Sequence, residues 1–475
     1  MSFRKTLLGA GAVLILGAAG LVATHGGLAT RADAAPTPAA APAPAPLGPL
    51  TETPFRFGSF GPVTIYRRAA EPGRFVVLIS DEAGWTPALA EQARRLTAQD
   101  ATVVAVDLPR FLPAAERAAG GHGLYPAGDF SELAQAAQKA LKFASYHRPI
   151  LIGQGAGAAL AYGTLSQSPA GIFQGGAGLN FRADLATTRP LLAGDGGLNH
   201  AAAFKAGFTY APNARLNVPF FIVQPGDAAS ARAFAGALPQ GRVETTLPKA
   251  LDAIQPAALP TSQASSARLA GLPLVEVPTA SNGDTLAVFY SGDGGWAGID
   301  RGLAQGFVKA GVPVVGYDSL RYFWTRRSPQ AAAEDLAAVI RHYQAVWGKQ
   351  RVILAGYSFG ADALPIIVQH LPADLRGQVR IVALLGTDST GELEFHPGDW
   401  LDVGAKDSYL IAPVLASLND LKIVCVYGSQ EHADACPTFP TQVRKIGLPG
   451  DHHFNGDYDT VGQALSQAAG LSPAR

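Results

Sequence analysis

Five residues, Gly356-Tyr357-Ser358-Phe359-Gly360, set a serine between glycines placed two positions to either side. That spacing suits a strained turn from a strand into a helix, where side chains at the flanking positions would clash and the helix N-terminus faces developing negative charge. The apolar run Val352-Ile353-Leu354-Ala355 reads as the strand, and Ala361 to His370 can continue as the helix. Ser358 is therefore the candidate nucleophile. A serine hydroxyl needs a base, and in the chain order serine, acid, histidine the base lies near the C-terminus. The segment Pro449-Gly450-Asp451-His452-His453-Phe454-Asn455-Gly456-Asp457 supplies adjacent histidines there. His452 is favoured, with His453 the alternative.

An acid must orient the imidazole and stabilise its charged form. It is expected after the strand Lys422 to Tyr427, where Glu431 and Asp434 stand; Asp434 is preferred, and Asp388 after the run Ile381 to Leu385 is an outside choice. The oxyanion hole is expected to use the Phe359 N–H and one N–H from the glycine-rich loop Ser291 to Trp296, at Asp293 or Gly294. The stretch Arg321-Tyr322-Phe323-Trp324-Thr325-Arg326-Arg327 interleaves arginines and aromatics beside this site. Tyr322, Trp324, Arg326 and Arg327 are candidates for gripping a phosphate and resting against acyl or glycerol groups. Packing as an ordinary surface loop is the equal alternative. Asp362, just after the motif, would meet a cationic group or merely charge a helix N-terminus.

These residues sit in a repeat. Leu286 to Tyr290 ending in Ser291-Gly292-Asp293-Gly294-Gly295-Trp296 matches Phe75 to Ile79 ending in Ser80-Asp81-Glu82-Ala83-Gly84-Trp85. Val314 to Asp318 matches Val103 to Asp107, Val352 to Gly360 matches Ile150 to Gly157, and Lys422 to Tyr427 matches Pro219 to Gln224. Short apolar runs alternate with Ala-rich helical stretches, which reads as βαβ units on mostly parallel sheets. The expectation is two tandem α/β-hydrolase-like domains, at about 51–265 and 271–475, joined through the Pro-, Ala- and Ser-rich Pro248 to Leu272 region. Where the second copy has Ser358 the first has Gly155, so the first is expected to be a degenerate, non-catalytic copy.

The 475 residues carry 37 basic and 37 acidic side chains. That balance offers no basic stripe for nucleic acid. Arg4 and Lys5, an uncharged run from Leu7 to Ala23, and Ala32-Asp33-Ala34 read as an export signal over 1–34, cleaved or retained as an anchor. Residues 35–50, alternating Ala and Pro, read as a stiff tether. Cys425 and Cys436 are the sole cysteines, and in an exported chain a disulfide is the favoured reading. Without clustered histidines they make a zinc site unlikely, and no metal or cofactor is expected.

The motifs at 356–365, 291–296, 322–324 and 452–454 together resemble the AcvB/VirJ family of bacterial virulence proteins, the VirJ likeness covering the second half and the AcvB layout essentially the whole chain. Family members commonly show Gly before the histidine pair and Asp after the Phe, where this chain has Asp451 and Asn455. The resemblance implies a periplasmic serine hydrolase that cleaves lysyl-phosphatidylglycerol to lysine and phosphatidylglycerol. Its implied partners are an aminoacylated phospholipid at the inner membrane surface and secretion-system proteins, with a link to type IV secretion and virulence. The residues alone leave open a general carboxylesterase or lipase, or a secretion-associated scaffold with a vestigial site.

Overall fold

The computed structural model describes residues 48–471 apart from 121–122, 195, 204–205, 225–228, 255–266, 281–282 and 398–407. The expected export signal, most of the Ala/Pro tether and the middle of the expected inter-domain linker lie outside the described residues. Residues from Leu47 onward form one compact unit. Among the described residues no helix is long and apolar enough to cross a membrane.

The first half builds an eight-stranded sheet from β1 (Thr51–Phe57), β2 (Gly61–Arg67), β3 (Arg74–Ile79), β4 (Ala101–Val106), β5 (Pro149–Gln154), β6 (Gly175–Leu179), β7 (Phe220–Val223) and β8 (Gly241–Glu244). Their spatial order is β1-β2-β4-β3-β5-β6-β7-β8. The second half builds a seven-stranded sheet from β9 (Leu274–Val277), β10 (Thr285–Tyr290), β11 (Val314–Tyr317), β12 (Arg351–Tyr357), β13 (Val379–Leu385), β14 (Ile423–Gly428) and β15 (Arg444–Leu448). Its order is β9-β11-β10-β12-β13-β14-β15. Apart from β1, the two orders are the same. In each, the strand at the β2 or β9 position pairs antiparallel with its neighbour, and the strands beyond it run parallel. The repeat read from short motifs is thus a repeat of topology.

Parallel strands covered on both faces should be apolar throughout, and every residue of β4 and β10 is buried. Alternate side chains sort to opposite faces. In β10, Leu286, Val288 and Tyr290 join one core cluster while Ala287 and Phe289 join another. The first cluster packs under α5 (Pro329–Trp347) and α6 (Phe359–Gln369), the second under α4 (Gly298–Lys309) and α7 (Tyr458–Ala468); in the first half α1 (Pro87–Thr97), α2 (Pro126–Ala140) and α3 (Ala156–Gln167) cover the sheet. Local signals set the helix ends. Ser328 caps α5 by accepting from the Ala331 N–H, with Pro329 in the first turn, and Gly348 ends it at φ 63°.

The halves are joined by specific contacts. Trp324 Nε1 donates to Phe143 O at 2.8 Å, Lys139 Nζ lies 4.8 Å from the Trp324 ring centre, and Arg148 pairs with Asp318 at 3.2 Å.

Candidate active site

β12 runs buried into Ser358, which sits at φ 50°, ψ −123° as the cap of α6. A non-glycine residue in that region is strained by about 1–2 kcal/mol, so the surroundings must hold it. They do so by close approach. A β-carbon at Gly356 would lie 2.3 Å from Gly360 O, and one at Gly360 would lie 2.4 Å from Tyr290 O. Both flanking glycines are therefore required by backbone contact. The Ser358 N–H donates to Leu385 O at 2.8 Å, tying the bend to the end of β13. Pro365 interrupts the ladder of α6. The Tyr409 hydroxyl bridges the gap, donating to Asp362 O and accepting from the Ile366 N–H.

The imidazole arrives from the loop after β15. His452 stacks so closely over Gly386 that a β-carbon there would meet Cε1 at 2.7 Å. Gly386 directly follows Leu385, whose carbonyl holds Ser358, so His452 and Ser358 are held by one stretch of backbone. The Tyr357 ring lies 5.2 Å from the His452 ring, and Tyr357 Oη donates to His452 O at 3.2 Å. His453 is exposed, its N–H held by Asp451 Oδ1 at 2.9 Å. The structure thus places His452, not its neighbour, at the bend.

Glu431 Oε1 meets His452 Nδ1 at 2.8 Å. The loops bearing them are zipped together, Ser429 N donating to Leu448 O at 2.7 Å and Gln430 N to Gly450 O at 2.9 Å. A carboxylate on Nδ1 fixes the tautomer that leaves Nε2 as base. The preference for Asp434 is corrected here: its Oδ1 accepts from the Cys436 N–H at 2.7 Å. Burial, with the Glu431 charge contributing, pushes the Asp434 carboxyl up to about 6. Cys425 and Cys436 form a disulfide, Cα–Cα 5.8 Å, closing this loop onto β14. Asp388 is also not the partner; its carboxylate accepts from Ser389 Oγ at 3.1 Å, and its N–H donates to Asp362 Oδ1 at 2.8 Å.

The loop after β10 passes against Ser358. A β-carbon at Gly292 would touch the Tyr357 ring at 3.3 Å and Ser358 Cβ at 3.6 Å. Asp300, which sequence reasoning missed, organises this loop from the first turn of α4, accepting from Gly292 N and Ala297 N at 3.1 Å each. Its position three residues after Ala297, at the start of a helix, was the available signal. Burial pushes its carboxyl up to about 7. With the Gly292 N–H taken by Asp300 and the Gly295 N–H by Gly292 O, the amides of Asp293 and Gly294 lie between two fixed points. Phe359 opens α6, where first-turn N–H groups lack helical acceptors.

The site is acidic. Asp362 is held well above the usual carboxylate range by burial, and then by the charges of Asp388, Asp434 and Asp293. The 321–327 loop departs from expectation. Tyr322 is fully buried and donates to Asp335 Oδ2 at 2.7 Å. Trp324 is buried between the halves, and Arg327 lies 4.8 Å over the Tyr322 ring. Tyr322 and Trp324 are thus packing residues, because apolar rings just after a core strand are drawn inward; Arg326 remains exposed.

The first half repeats the bend with a glycine in place of the serine. Gly155 takes φ 53°, ψ −116°, and Ser80 Oγ accepts from Leu108 N as Ser291 Oγ does from Ser319 N, both at 2.9 Å. Where the second half has Gly292, the first has Asp81. A β-carbon at Gly155 would lie 2.3 Å from Asp81 Oδ2. Asp81 Oδ1 accepts from Ala156 N at 2.8 Å, the N–H equivalent to that of Phe359.

Residues 284–470 match the family model of the bacterial virulence protein VirJ. No curated protein sequence matches the chain. Among solved structures the chain is similar to Est1E from Butyrivibrio proteoclasticus with ferulic acid bound, at 15% identity and TM-score 0.30, covering 42% of this chain and 94% of that one. It is similar to an α/β serine hydrolase without lid from Xanthomonas campestris, at 15% identity and TM-score 0.28, covering 42% and 90%. A third is YbtT, a type II thioesterase from the yersiniabactin biosynthetic pathway, at 16% identity and TM-score 0.29, covering 42% and 98%.

Proposed function

We propose that this chain, whose residues 284–470 carry a VirJ-family domain of α/β-hydrolase fold, is a serine hydrolase of the aminoacyl ester in lysyl-phosphatidylglycerol. The observation that carries the reading is the Glu431–His452 pair stacked on Gly386, beside the carbonyl that holds Ser358.

Ser358 Oγ attacks the ester carbonyl carbon while its proton passes to His452 Nε2. Glu431 keeps Nδ1–H and stabilises the imidazolium. The oxyanion rests against the Phe359 N–H and the Asp293 or Gly294 amide. Collapse breaks the acyl–oxygen bond, and the imidazolium protonates the leaving glycerol oxygen, releasing phosphatidylglycerol. Water then gives its proton to His452 and attacks the lysyl–serine ester; lysine leaves and the proton returns to Ser358. The crowded carboxylates of Asp293, Asp362 and Asp388 support a cationic substrate, since an ammonium group relieves their mutual repulsion. An export signal over 1–34 would put this activity in the periplasm, with effects on membrane lipid homeostasis and on type IV secretion.

The test is thin-layer analysis of purified lysyl-phosphatidylglycerol incubated with the full chain. Wild type is expected to release lysine, and Ser358→Ala to lose roughly 10³-fold or more of the rate. Full activity in Ser358→Ala removes the nucleophile assignment. Turnover of small esters with none of this lipid reassigns the substrate.

A further inference from the structure

Between the halves lies a cavity of ≈ 970 Å³ that Ser358, Glu431 and His452 do not line. The first half contributes Arg148, just before β5, and Arg242 in β8; the second contributes Arg301 in α4 and Arg321 just after β11. His147 also lines it, its imidazole held toward the neutral form by burial, and no Asp or Glu is among the lining residues. In a chain with 37 acidic and 37 basic side chains, so one-sided a wall is an asymmetry built by the fold.

Compensation for these charges is incomplete. Arg242 pairs with Glu244 at 2.6 Å, and Arg148 with the buried Asp318 at 3.2 Å. Asp318 also accepts from the Arg321 backbone N–H. Among the described residues neither Arg301 nor Arg321 has a carboxylate within ion-pair distance. Burial lowers both guanidinium pKa values, and the charge of Arg148 lowers both further, against Asp300 at Arg301 and Asp318 at Arg321. Arg148 of the first half therefore lies close enough to both cations of the second for its charge to act on each. A guanidinium fork matches phosphate oxygens in geometry and charge. The volume is that of a site for a small organic ligand rather than a bare ion, and Phe173 and Phe221 supply apolar wall.

The geometry points to a second binding site, independent of the ester-hydrolase reading, that takes a phosphate-bearing organic anion bridging Arg148 of the first half to Arg301 and Arg321 of the second. The anion's source is either a soluble phosphomonoester or the headgroup of an anionic phospholipid. It gives the first half a ligand-binding role that its own glycine bend does not.

The experiment uses the full chain with glycerol 3-phosphate, with glycerol as control, and with vesicles of phosphatidylglycerol against phosphatidylcholine. Calorimetric titration, vesicle sedimentation and thermal unfolding provide the readouts. A ligand that binds only the folded state raises the unfolding midpoint. Glycerol 3-phosphate is expected to raise it while glycerol does not, and R301Q/R321Q is expected to bind at least tenfold more weakly. Binding of phosphatidylglycerol vesicles alone, lost in the same variant, supports the lipid source. Unliganded R301Q/R321Q should unfold no earlier than wild type, since it removes unpaired cations; R301Q alone, a change in the first turn of α4, should weaken binding severalfold. No binding of either phosphate probe, or equal binding by wild type and R301Q/R321Q, overturns the proposal.

Discussion

Glu431 and Asp434 share one loop, yet only Glu431 meets the imidazole. Glu431→Gln is expected to lower turnover by roughly 10²–10⁴-fold, because a neutral amide neither fixes the tautomer nor stabilises the imidazolium. Asp434→Asn should retain most activity; a larger loss in D434N than in E431Q, measured as kcat/KM, would reverse the assignment. Asp300 carries a second consequence at this scale. Its folded-state pKa of about 7 stands above the ordinary 3.8, so folding favours the protonated form. The associated stability is complete below about pH 4 and is lost as pH rises through 7, by at most about 4 kcal/mol. Denaturant unfolding at pH 5 and pH 7.5 is expected to show a smaller loss in Asp300→Asn than in wild type. An identical loss in both would contradict the assignment.

At the scale of elements, the same strand–bend–helix occurs twice with opposite fillings. The second half pairs a glycine at 292 with a serine at 358, and the first pairs Asp81 with Gly155. The two positions are sterically exclusive, since a β-carbon at 155 falls on the Asp81 carboxylate. Gly155→Ser alone is therefore expected to destabilise by about 1–3 kcal/mol. Adding Asp81→Gly should recover part of that, giving a double-mutant coupling above about 0.5 kcal/mol. Additive changes in chemical unfolding would show that the carboxylate swings aside without penalty. The first half also reaches the loop after β10, because Glu132 of α2 is raised in pKa by burial and by the Asp293 charge.

At the scale of the whole molecule, Trp324 is the anchor between halves. Its ring stacks 6.0 Å from Phe395 and lies 5.1 Å from Tyr146 of the first half. Trp324→Ala should cost about 3–5 kcal/mol and open the junction to proteolysis. Wild-type resistance to limited proteolysis in W324A would assign the junction to other contacts. Because Phe359 packs on this cluster, loosening the junction also reaches the residue whose N–H opens α6.

Much of the site is written locally. The bend at Ser358 needs its two glycines for contacts a few residues away, and the matched runs of the two halves are strands because uninterrupted apolar stretches must be covered on both faces. The histidine loop follows from chain order. The acid was not legible, since the choice between residues 431 and 434 depends on how the loop after β14 is pinned to the loop after β15, a pairing of backbones from separate strands. Nor did the interleaved 321–327 loop reveal that its rings point inward while Arg321 faces a cavity made with the other half. Local spacing determines backbone conformation through short-range sterics; which side chains meet is decided by the long-range packing that brings distant segments together.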